Sequence, residues 1–439
     1  MQSANWSAML KAFSVLPDSR LRWWAGFVAA SLLLPPLPFA LGNSGPHLAL
    51  LFAAAGLWIG LGRYPEWRAG RDLVAVLLAT FTGWLAFTSL AAMHYSGASV
   101  AAGSLARVGL FGIAVYTYFY FRHGPGRRAL SDPMRWALAG FVIASVAALW
   151  ACIDFYFPLL PPGGFAEQFI WFPGGVYRRA QGVFREAGML GNLCALFLTS
   201  AAVAWVQPEI RGRLAGSRFL LLGVLALSTA LMLSFSRSSL LNLLTALAAL
   251  AILERKRIPW PRAAALAAAA VAATSATLYL AAPQVLAAYW RRMSDTVIYS
   301  WTLPGEMLSG RLETWTTLLA HLSDHPWVLA TGIGYKTLPY SSYFGEPLVA
   351  DNMYLSALVE AGIPGLLLLV ALSAAMLASC LRVRRGGDPV SRFFATWFFC
   401  FWAGEMVQMT ATDALTFWRI LPLAFFILAV AERDERVAS

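Results

Sequence analysis

The sequence predicts an all-α, polytopic integral membrane protein with about twelve transmembrane helices and a large outward loop that carries amphipathic helices. Hydrophobic residues make up 59% of the 439 residues, and charged residues make up only 13%. This balance is typical of membrane proteins and excludes a soluble globular protein. The net charge of +11 does not indicate nucleic-acid binding, because the sequence shows no soluble domain with a basic patch between exposed aromatic residues.

Apolar runs long enough, or nearly so, for a bilayer crossing of roughly 20 residues recur along the whole chain. The predicted spans are 24–41, 46–62, 73–92, 100–121, 134–157, 187–206, 219–234, 238–253, 263–282, 352–380, 391–410 and 414–431. The region 219–253 has the length of one long helix, but the stretch SFSRS places Arg237 in its middle. A charge inside the membrane is costly unless it lies at a turn or faces a cavity, so we predict a helical hairpin there.

The distribution of basic residues predicts the orientation of the chain. Lys and Arg cluster near the amino end and at every even-numbered junction between spans, including 211–218 before the hairpin and 255–257 after it. The positive-inside rule then places both termini in the cytoplasm and Arg237 at the outer tip of the hairpin. We expect one membrane domain over residues 1–439, with outward loops at 158–186 and at 283–350, between the ninth and tenth spans.

The 283–350 loop contains a pattern that predicts an amphipathic helix near residues 311–322. Apolar side chains recur at spacings of three and four residues, while polar side chains line another face. The apolar set is Leu312, Trp315, Leu319 and Leu322, and the polar set is Glu313, Thr317, His321 and Asp324.

Several cations remain on the predicted outward side, against the positive-inside rule. They are Arg178, Arg179, Arg185, Arg237, Arg291, Arg292, Arg311 and Lys336. Guanidinium groups bind phosphate oxygens in pairs of hydrogen bonds and keep their charge, so an anionic ligand is one interpretation. The other is contact with lipid headgroups or ion pairs with Glu186, Glu306 and Glu313. For Arg291 and Arg292, which flank interfacial aromatic residues, contact with membrane lipid headgroups is favoured. For Arg185 and Arg237 the anionic ligand is favoured, since each adjoins an apolar helix where an unpaired charge is costly.

Two residues are candidates for proton transfer. Asp351 begins a long apolar helix, and it is either a helix N-cap or a carboxylate that takes a proton from an acceptor hydroxyl. His321 lies on the polar face of the predicted amphipathic helix, where an imidazole is suited to the same task. His321 and His325 lack a third ligand, so no metal site is predicted.

Three motifs, in this order, resemble the signature regions of the O-antigen ligase and polymerase superfamily. They are RRAQGVFREAGMLGN at 178–192, FSRSSLL at 235–241, and a last region with Arg311 and Trp315, DHPWVLATGIGY at 324–335 and DNMYLSALVEAGIPG at 351–365. The resemblance implies a GT-C-like fold in the bacterial inner membrane and an inverting glycosyltransferase whose active site is periplasmic.

The substrates that the resemblance implies are an undecaprenyl diphosphate-linked glycan as the donor and a glycan or glycolipid as the acceptor. Such enzymes are regarded as needing no nucleotide sugar, metal or other cofactor. Partners in the polysaccharide export pathway stay open. We expect Arg185 and Arg237 to bind the diphosphate, together with Arg179 and Arg311.

One departure from the superfamily pattern concerns the expected base. Members usually carry a histidine before the asparagine of the last motif, and this chain has Asp351 there. We expect Asp351 to deprotonate the acceptor, with His321 as the second candidate. The departure favours a polymerase that extends lipid-linked repeats. It leaves open a ligase that transfers the glycan to lipid A core, and a flippase that moves the same lipid-linked molecule.

Overall fold

The computed structural model describes residues 18–37, 46–157, 168–172, 175–214, 218–281, 283–302 and 311–433. Within these residues the chain is mainly helical, with one antiparallel hairpin of strands β1 (Phe169–Phe172) and β2 (Gly175–Arg178). The α-helices are α1 (Arg22–Leu33), α2 (Ala49–Gly62), α3 (Leu73–Ser96), α4 (Ala98–Arg122), α5 (Gly126–Ala129), α6 (Pro133–Tyr156), α7 (Ala187–Val206), α8 (Pro208–Leu214), α9 (Arg218–Leu233), α10 (Arg237–Leu253), α11 (Trp260–Ala281), α12 (Pro283–Thr302), α13 (Arg311–Asp324), α14 (Val328–Thr331), α15 (Met353–Gly386), α16 (Pro389–Gln408) and α17 (Leu421–Ala431).

Each predicted span overlaps one of these helices. The largest differences are in the first span, 24–41, where the helix ends at Leu33 and residues 38–41 lie outside the described residues, and in the last, 414–431, where the α-helix begins at Leu421. Six described helices are long and apolar enough to cross a membrane: α3, α4, α6, α7, α11 and α15. Shorter apolar helices, α2, α9, α10 and α17, occupy four further predicted spans. The chain is therefore a multi-pass membrane protein, and the total of about twelve crossings stays a prediction.

The two loops that are predicted to face outward are described only in part. Residues 158–167 and 173–174 of the first loop and 303–310 of the second lie outside the described residues. The described part of the first loop contains the β1–β2 hairpin, which the all-α prediction did not include. The described part of the second contains α12, α13 and α14, and α13 occupies the position that the amphipathic pattern predicted.

The predicted hairpin within 219–253 is confirmed. α9 ends at Leu233 and α10 begins at Arg237, so the turn occupies residues 234–236. Phe235 has a φ angle of 51°, a left-handed conformation that does not continue a right-handed helix. The Ser236 side chain caps α10 by accepting a hydrogen bond from the backbone N–H of Ser239.

A buried polar network joins α7, α10 and α16 below this turn. The Nδ2 groups of Asn192 and Asn242 donate to Oε2 of Glu405 at 2.5 Å and 2.7 Å. The same two amides donate to Oε1 of Gln408 at 3.1 Å and 2.9 Å. Buried polar groups are costly unless they find partners, so these hydrogen bonds fix the three helices relative to one another.

The long helix α15 is broken at Gly362, whose φ of 69° and ψ of −176° are not helical. The break exposes backbone carbonyls that need partners. The backbone N–H groups of Ile333 and Gly334 donate to the carbonyls of Val359 and Glu360 at 3.0 Å and 2.9 Å. The loop after α14 is thereby attached to the broken helix, as expected where backbone at membrane depth must be satisfied by the protein itself.

We predict that Gly362→Ala destabilises the protein. The backbone angles of Gly362 are nearly exclusive to glycine and cost another residue about 1–3 kcal/mol. In addition, a Cβ atom at this position would lie 2.8 Å from the carbonyl oxygen of Leu329. The apparent melting temperature of the detergent-solubilised protein should fall. Gly83→Ala is the matched control, because Gly83 lies in α3 with no atom near its absent Cβ. Equal melting temperatures for the two variants would contradict this account.

Candidate active site

The N-termini of three long helices meet at one place in the bundle. Ser239 Oγ, in the first turn of α10, donates to the carbonyl of Gly188 in the first turn of α7 at 3.3 Å. Glu186, the N-cap of α7, lies within electrostatic range of Asp351, which precedes Asn352, the N-cap of α15. The N-terminal end of a helix carries partial positive charge, so this place is electropositive before any side chain is counted.

The chain that follows β2 is attached to the 234–236 turn. The backbone N–H of Ala180 donates to the carbonyl of Leu233 at 2.9 Å. The Nε of Arg179 donates to the carbonyl of Ser234 at 2.8 Å. These two hydrogen bonds hold Arg179 beside the start of α10, where Arg237 is the first residue.

Arg179, Arg237 and Arg311 lie within electrostatic range of one another. Burial, together with the positive charges of Arg311 and Arg237, lowers the pKa of Arg179 to about 10, while Glu186 opposes the shift. Three of the four arginines that the sequence assigned to the diphosphate are thus brought together by three different elements: the chain after β2, α10 and α13.

Helix α12 adds a fourth arginine that sequence analysis did not place in the site. The ring of Tyr289 is buried, and its centroid lies 6.0 Å from that of Phe235 in the 234–236 turn. Arg292 follows Tyr289 by three residues, so both side chains lie on the same face of α12. Burial lowers the pKa of Arg292 to about 9, and the positive charges of the other three arginines act in the same direction. Arg179, Arg237, Arg292 and Arg311 are called the arginine cluster below.

The structure separates the two arginines for which the sequence favoured lipid headgroups. Arg292 is half-buried and belongs to the arginine cluster, whereas Arg291 is exposed on another face of α12. The signal that identifies Arg292 is the burial of Val285, Ala288 and Tyr289, because these residues define the inner face of the helix.

Asp351 contacts the arginine cluster directly. Its Oδ2 accepts a hydrogen bond from Nε of Arg311 at 3.1 Å, and both side chains are partly exposed, at 46% for Asp351 and 28% for Arg311. Asp351 does not cap α15, because the side chain of Asn352 accepts the hydrogen bonds from Tyr354 N and Leu355 N at 3.0 Å and 3.1 Å. The capping interpretation of Asp351 is therefore wrong.

Glu186 lies within electrostatic range of Arg179 and of two further carboxylates. Burial raises the pKa of Glu186, the adjacent Arg185 acts against this shift, and the negative charges of Asp413 and Asp351 act with it. Arg185 itself is exposed. The structure thus places Arg185 at the edge of the site, beside Glu186.

Two cations of the predicted outward set have carboxylate partners of their own. Lys336 is buried, donates to Asp413, and lies 3.8 Å from Oε2 of Glu360. Arg178 forms an ion pair with Asp154, with 3.1 Å between Nη2 and Oδ2. For these two residues the ion-pair interpretation is therefore favoured over an external anion, with Asp154, Asp413 and Glu360 as the partners.

His321 is not brought to the arginine cluster. It is ten residues after Arg311 on α13, which corresponds to about 15 Å along the helix axis. Its ring is stacked on Phe344, with 4.9 Å between the centroids and 11° between the planes. The carbonyl of His321 also lies 3.0 Å from Nδ1 of His325. Of the two candidate bases, only Asp351 lies beside the arginines.

The buried face of α13 differs in part from the predicted one. Leu318 and Leu322 are buried, whereas Leu312 and Leu319 are exposed. The buried leucines pack against the loop that leads to Asp351, and Trp315 Nε1 donates to the carbonyl of Ala350 at 2.6 Å. This packing fixes the position of Asp351.

The arrangement is suited to binding an anion with several negative charges. Four guanidinium groups and three helix N-termini supply the positive charge, and one carboxylate stands next to them as a proton acceptor. Within the described ranges, no three His, Cys, Asp or Glu side chains lie together in a group that suits a metal ion.

Comparison with known protein families supports the resemblance seen in the motifs. Residues 222–370 match the O-antigen ligase family, and the matched region contains Arg237, Arg292, Arg311 and Asp351. No curated protein matches the chain. Residues 222–370, which include two of the three motifs, are therefore similar to the O-antigen ligase family.

Proposed function

We propose that the protein is an inverting glycosyltransferase that moves a glycan from undecaprenyl diphosphate to the hydroxyl group of an acceptor. The Asp351 carboxylate takes the hydroxyl proton, and the acceptor oxygen forms a bond to the anomeric carbon. The bond from that carbon to the diphosphate oxygen breaks, its electron pair leaves with undecaprenyl diphosphate, and the configuration of the carbon inverts. The arginines neutralise the leaving group, a task that a divalent ion performs in other transferases.

The observation that carries this proposal is the contact between Asp351 and the arginine cluster. Arg311 belongs to the cluster and lies 3.1 Å from the Asp351 carboxylate. A proton acceptor and a binding site for the leaving group are thus separated by one guanidinium group. Acceptor activation and departure of a diphosphate both need such proximity.

We further propose that the site lies on the periplasmic side of the inner membrane, with both termini in the cytoplasm. The three helices whose N-termini meet, α7, α10 and α15, correspond to the sixth, eighth and tenth predicted spans. When both termini are cytoplasmic, all even-numbered spans begin on the outer side. The convergence of these N-termini supports the proposed orientation.

Polymerisation of lipid-linked repeats is the reaction that we propose, because Asp351 stands where the ligase pattern has histidine. Ligation to lipid A core or another acceptor is the second candidate, since the matching family is described as O-antigen ligase.

The lipid-linked glycan that accumulates in cells lacking this gene distinguishes the two reactions. Single repeats indicate a polymerase, and full-length chains on the carrier indicate a ligase. An unchanged glycan pool would contradict both. Release of undecaprenyl diphosphate by the purified protein would exclude simple transport.

We predict that Asp351→Asn lowers turnover of the lipid-linked donor by about 10²–10⁴-fold, the usual contribution of a general base. The amide keeps the size of the side chain but does not accept the proton. Turnover is measured as release of undecaprenyl diphosphate from donor and acceptor. Asn352→Ala is the matched control: it removes the true cap of α15 at a cost of about 1 kcal/mol, and turnover should persist. Near-normal turnover in Asp351→Asn would rule out this role.

We predict that Arg292→Ala raises the KM for the donor by about ten- to a hundredfold, the loss expected for a hydrogen bond to a charged group. Arg291→Ala is the control, because it removes the same charge from the adjacent residue on the exposed side of α12. Its donor KM should stay near the wild-type value. Both constants come from initial rates at varied donor concentration. Equal increases in the two variants would show that α12 contributes only general positive charge.

A further inference from the structure

A group of aromatic side chains lies at the other end of α13, away from the arginine cluster. The indole of Trp327 is 55% exposed, and its Nε1 donates to the hydroxyl of Tyr343 at 3.1 Å. The ring of His325 lies edge-on to both, with centroid distances of 5.2 Å to Trp327 and 5.4 Å to Tyr343. Tyr95 of α3 contacts Tyr343 at 4.9 Å. These four side chains are called the aromatic platform.

The partners of Trp327 hold its ring in one orientation while much of its surface stays open. A hydrogen bond from Nε1 and an edge-on ring contact restrict rotation of the indole. Tryptophan and tyrosine combine a large apolar surface with a polar group, which suits a ligand that is itself partly apolar and partly hydroxylated. Sugar rings have this character, since one face presents C–H groups and the edge presents hydroxyls.

The charges around the aromatic platform argue against a membrane anchor. Residues 312–351 contain four acidic residues but only one Lys or Arg, namely Lys336, which is buried in its own ion pairs. Asp324 and Glu346 are exposed in this segment. Aromatic anchors at anionic membrane surfaces are accompanied by exposed Lys or Arg. The exposed Trp290 of α12 has such a neighbour in Arg291, whereas the sequence on either side of Trp327, from 312 to 335, contains no Lys or Arg.

Tyr340 is not part of the aromatic platform. The guanidinium carbon of Arg107, from α4, lies 4.1 Å from the centre of its ring. One face of Tyr340 is therefore covered by the protein itself.

The aromatic platform and Asp351 are attached to one small apolar core. Leu318 and Leu322 of α13 pack in that core with Val328, Phe344 and Ala350. Trp327 precedes Val328, Tyr343 precedes Phe344, and Asp351 follows Ala350, so the platform and the carboxylate are held by adjacent backbone. Arg311 marks one end of α13 and the platform lies near the other, about 20 Å away along the axis.

We propose that the aromatic platform binds the glycan of the lipid-linked donor, several sugars away from the anomeric carbon that reacts. This inference rests on the proposed transferase function. The diphosphate binds at the arginine cluster, the first sugar lies beside Asp351, and the rest of the donor glycan extends along α13. Trp327 stacks on a sugar ring, and Asp324 and Glu346 accept hydrogen bonds from hydroxyls.

The test compares long and short donors. Lipid diphosphate-linked glycan is isolated from cells that lack the gene, and part of it is trimmed enzymatically to one or two sugars. Initial rates with purified Trp327→Ala should give a KM for the long donor about tenfold above wild type, the loss expected when a contact worth about 1.4 kcal/mol is removed. The KM for the trimmed donor and the kcat for both donors should not change. Trp327→Phe should recover most of the affinity, because it keeps a ring.

Trp290→Ala is the matched control, since this indole is 51% exposed on α12 and has a cationic neighbour. Its KM values for the long and trimmed donors should be those of the wild type. Equal effects of Trp327→Ala on both donors, an effect on the KM for the acceptor instead, or the same change in Trp290→Ala would each overturn the inference. A weaker association of Trp327→Ala with anionic vesicles would identify a membrane anchor and would also overturn it. Absence of turnover in the wild-type protein is a different outcome, because it contradicts the transferase function itself.

Discussion

Mutual repulsion among four guanidinium groups is the constraint on which the rest of the site depends. Each of Arg179, Arg237, Arg292 and Arg311 lies within electrostatic range of the other three. Like charges at short range repel one another, and more strongly where burial lowers the effective dielectric constant. The fold therefore holds the cluster in place against its own charge. An anion with two or more negative charges reverses the sign of this energy, and positions that are fixed beforehand bind and stabilise such an anion best.

The means of holding the cluster are visible in the backbone that surrounds it. Arg179 donates to the carbonyl of Ser234, and Arg311 donates to Asp351, so two of the four cations have fixed acceptors. Below them, the amides of Asn192 and Asn242 fasten α7 and α10 to α16 through Glu405. This network is buried and contains a carboxylate, and its loss would allow the two helix N-termini at the cluster to move apart. The polar residues inside the bundle thus support the charged residues at its end.

Sequence analysis predicted the parts of this structure that depend on local pattern. The turn at residues 234–236 was predicted from the cost of placing Arg237 inside a membrane. The other arginines that were assigned to the site were predicted from their position outside the predicted spans. The buried ion pair of Lys336 with Asp413 was not predictable, because the partners are 77 residues apart and meet only through tertiary packing. Arg292 was missed for a related reason. The inner face of α12 is defined by contact with Phe235, which the periodicity of α12 alone does not reveal.

The backbone at residue 351 explains how an aspartate can replace the histidine of the superfamily pattern. Asp351 has a φ angle of 45°, in the left-handed region that most side chains avoid. Asp, Asn and His are the residues other than glycine that adopt this conformation most readily. The position is thus restricted to few residue types by its backbone, and two of them, His and Asp, are able to accept a proton. Asn352 supplies the cap of α15, so the side chain at 351 is not needed to end the helix and can face the arginine cluster. In the proposed mechanism, a carboxylate in place of imidazole is compatible with this backbone conformation and changes only the group that takes the proton.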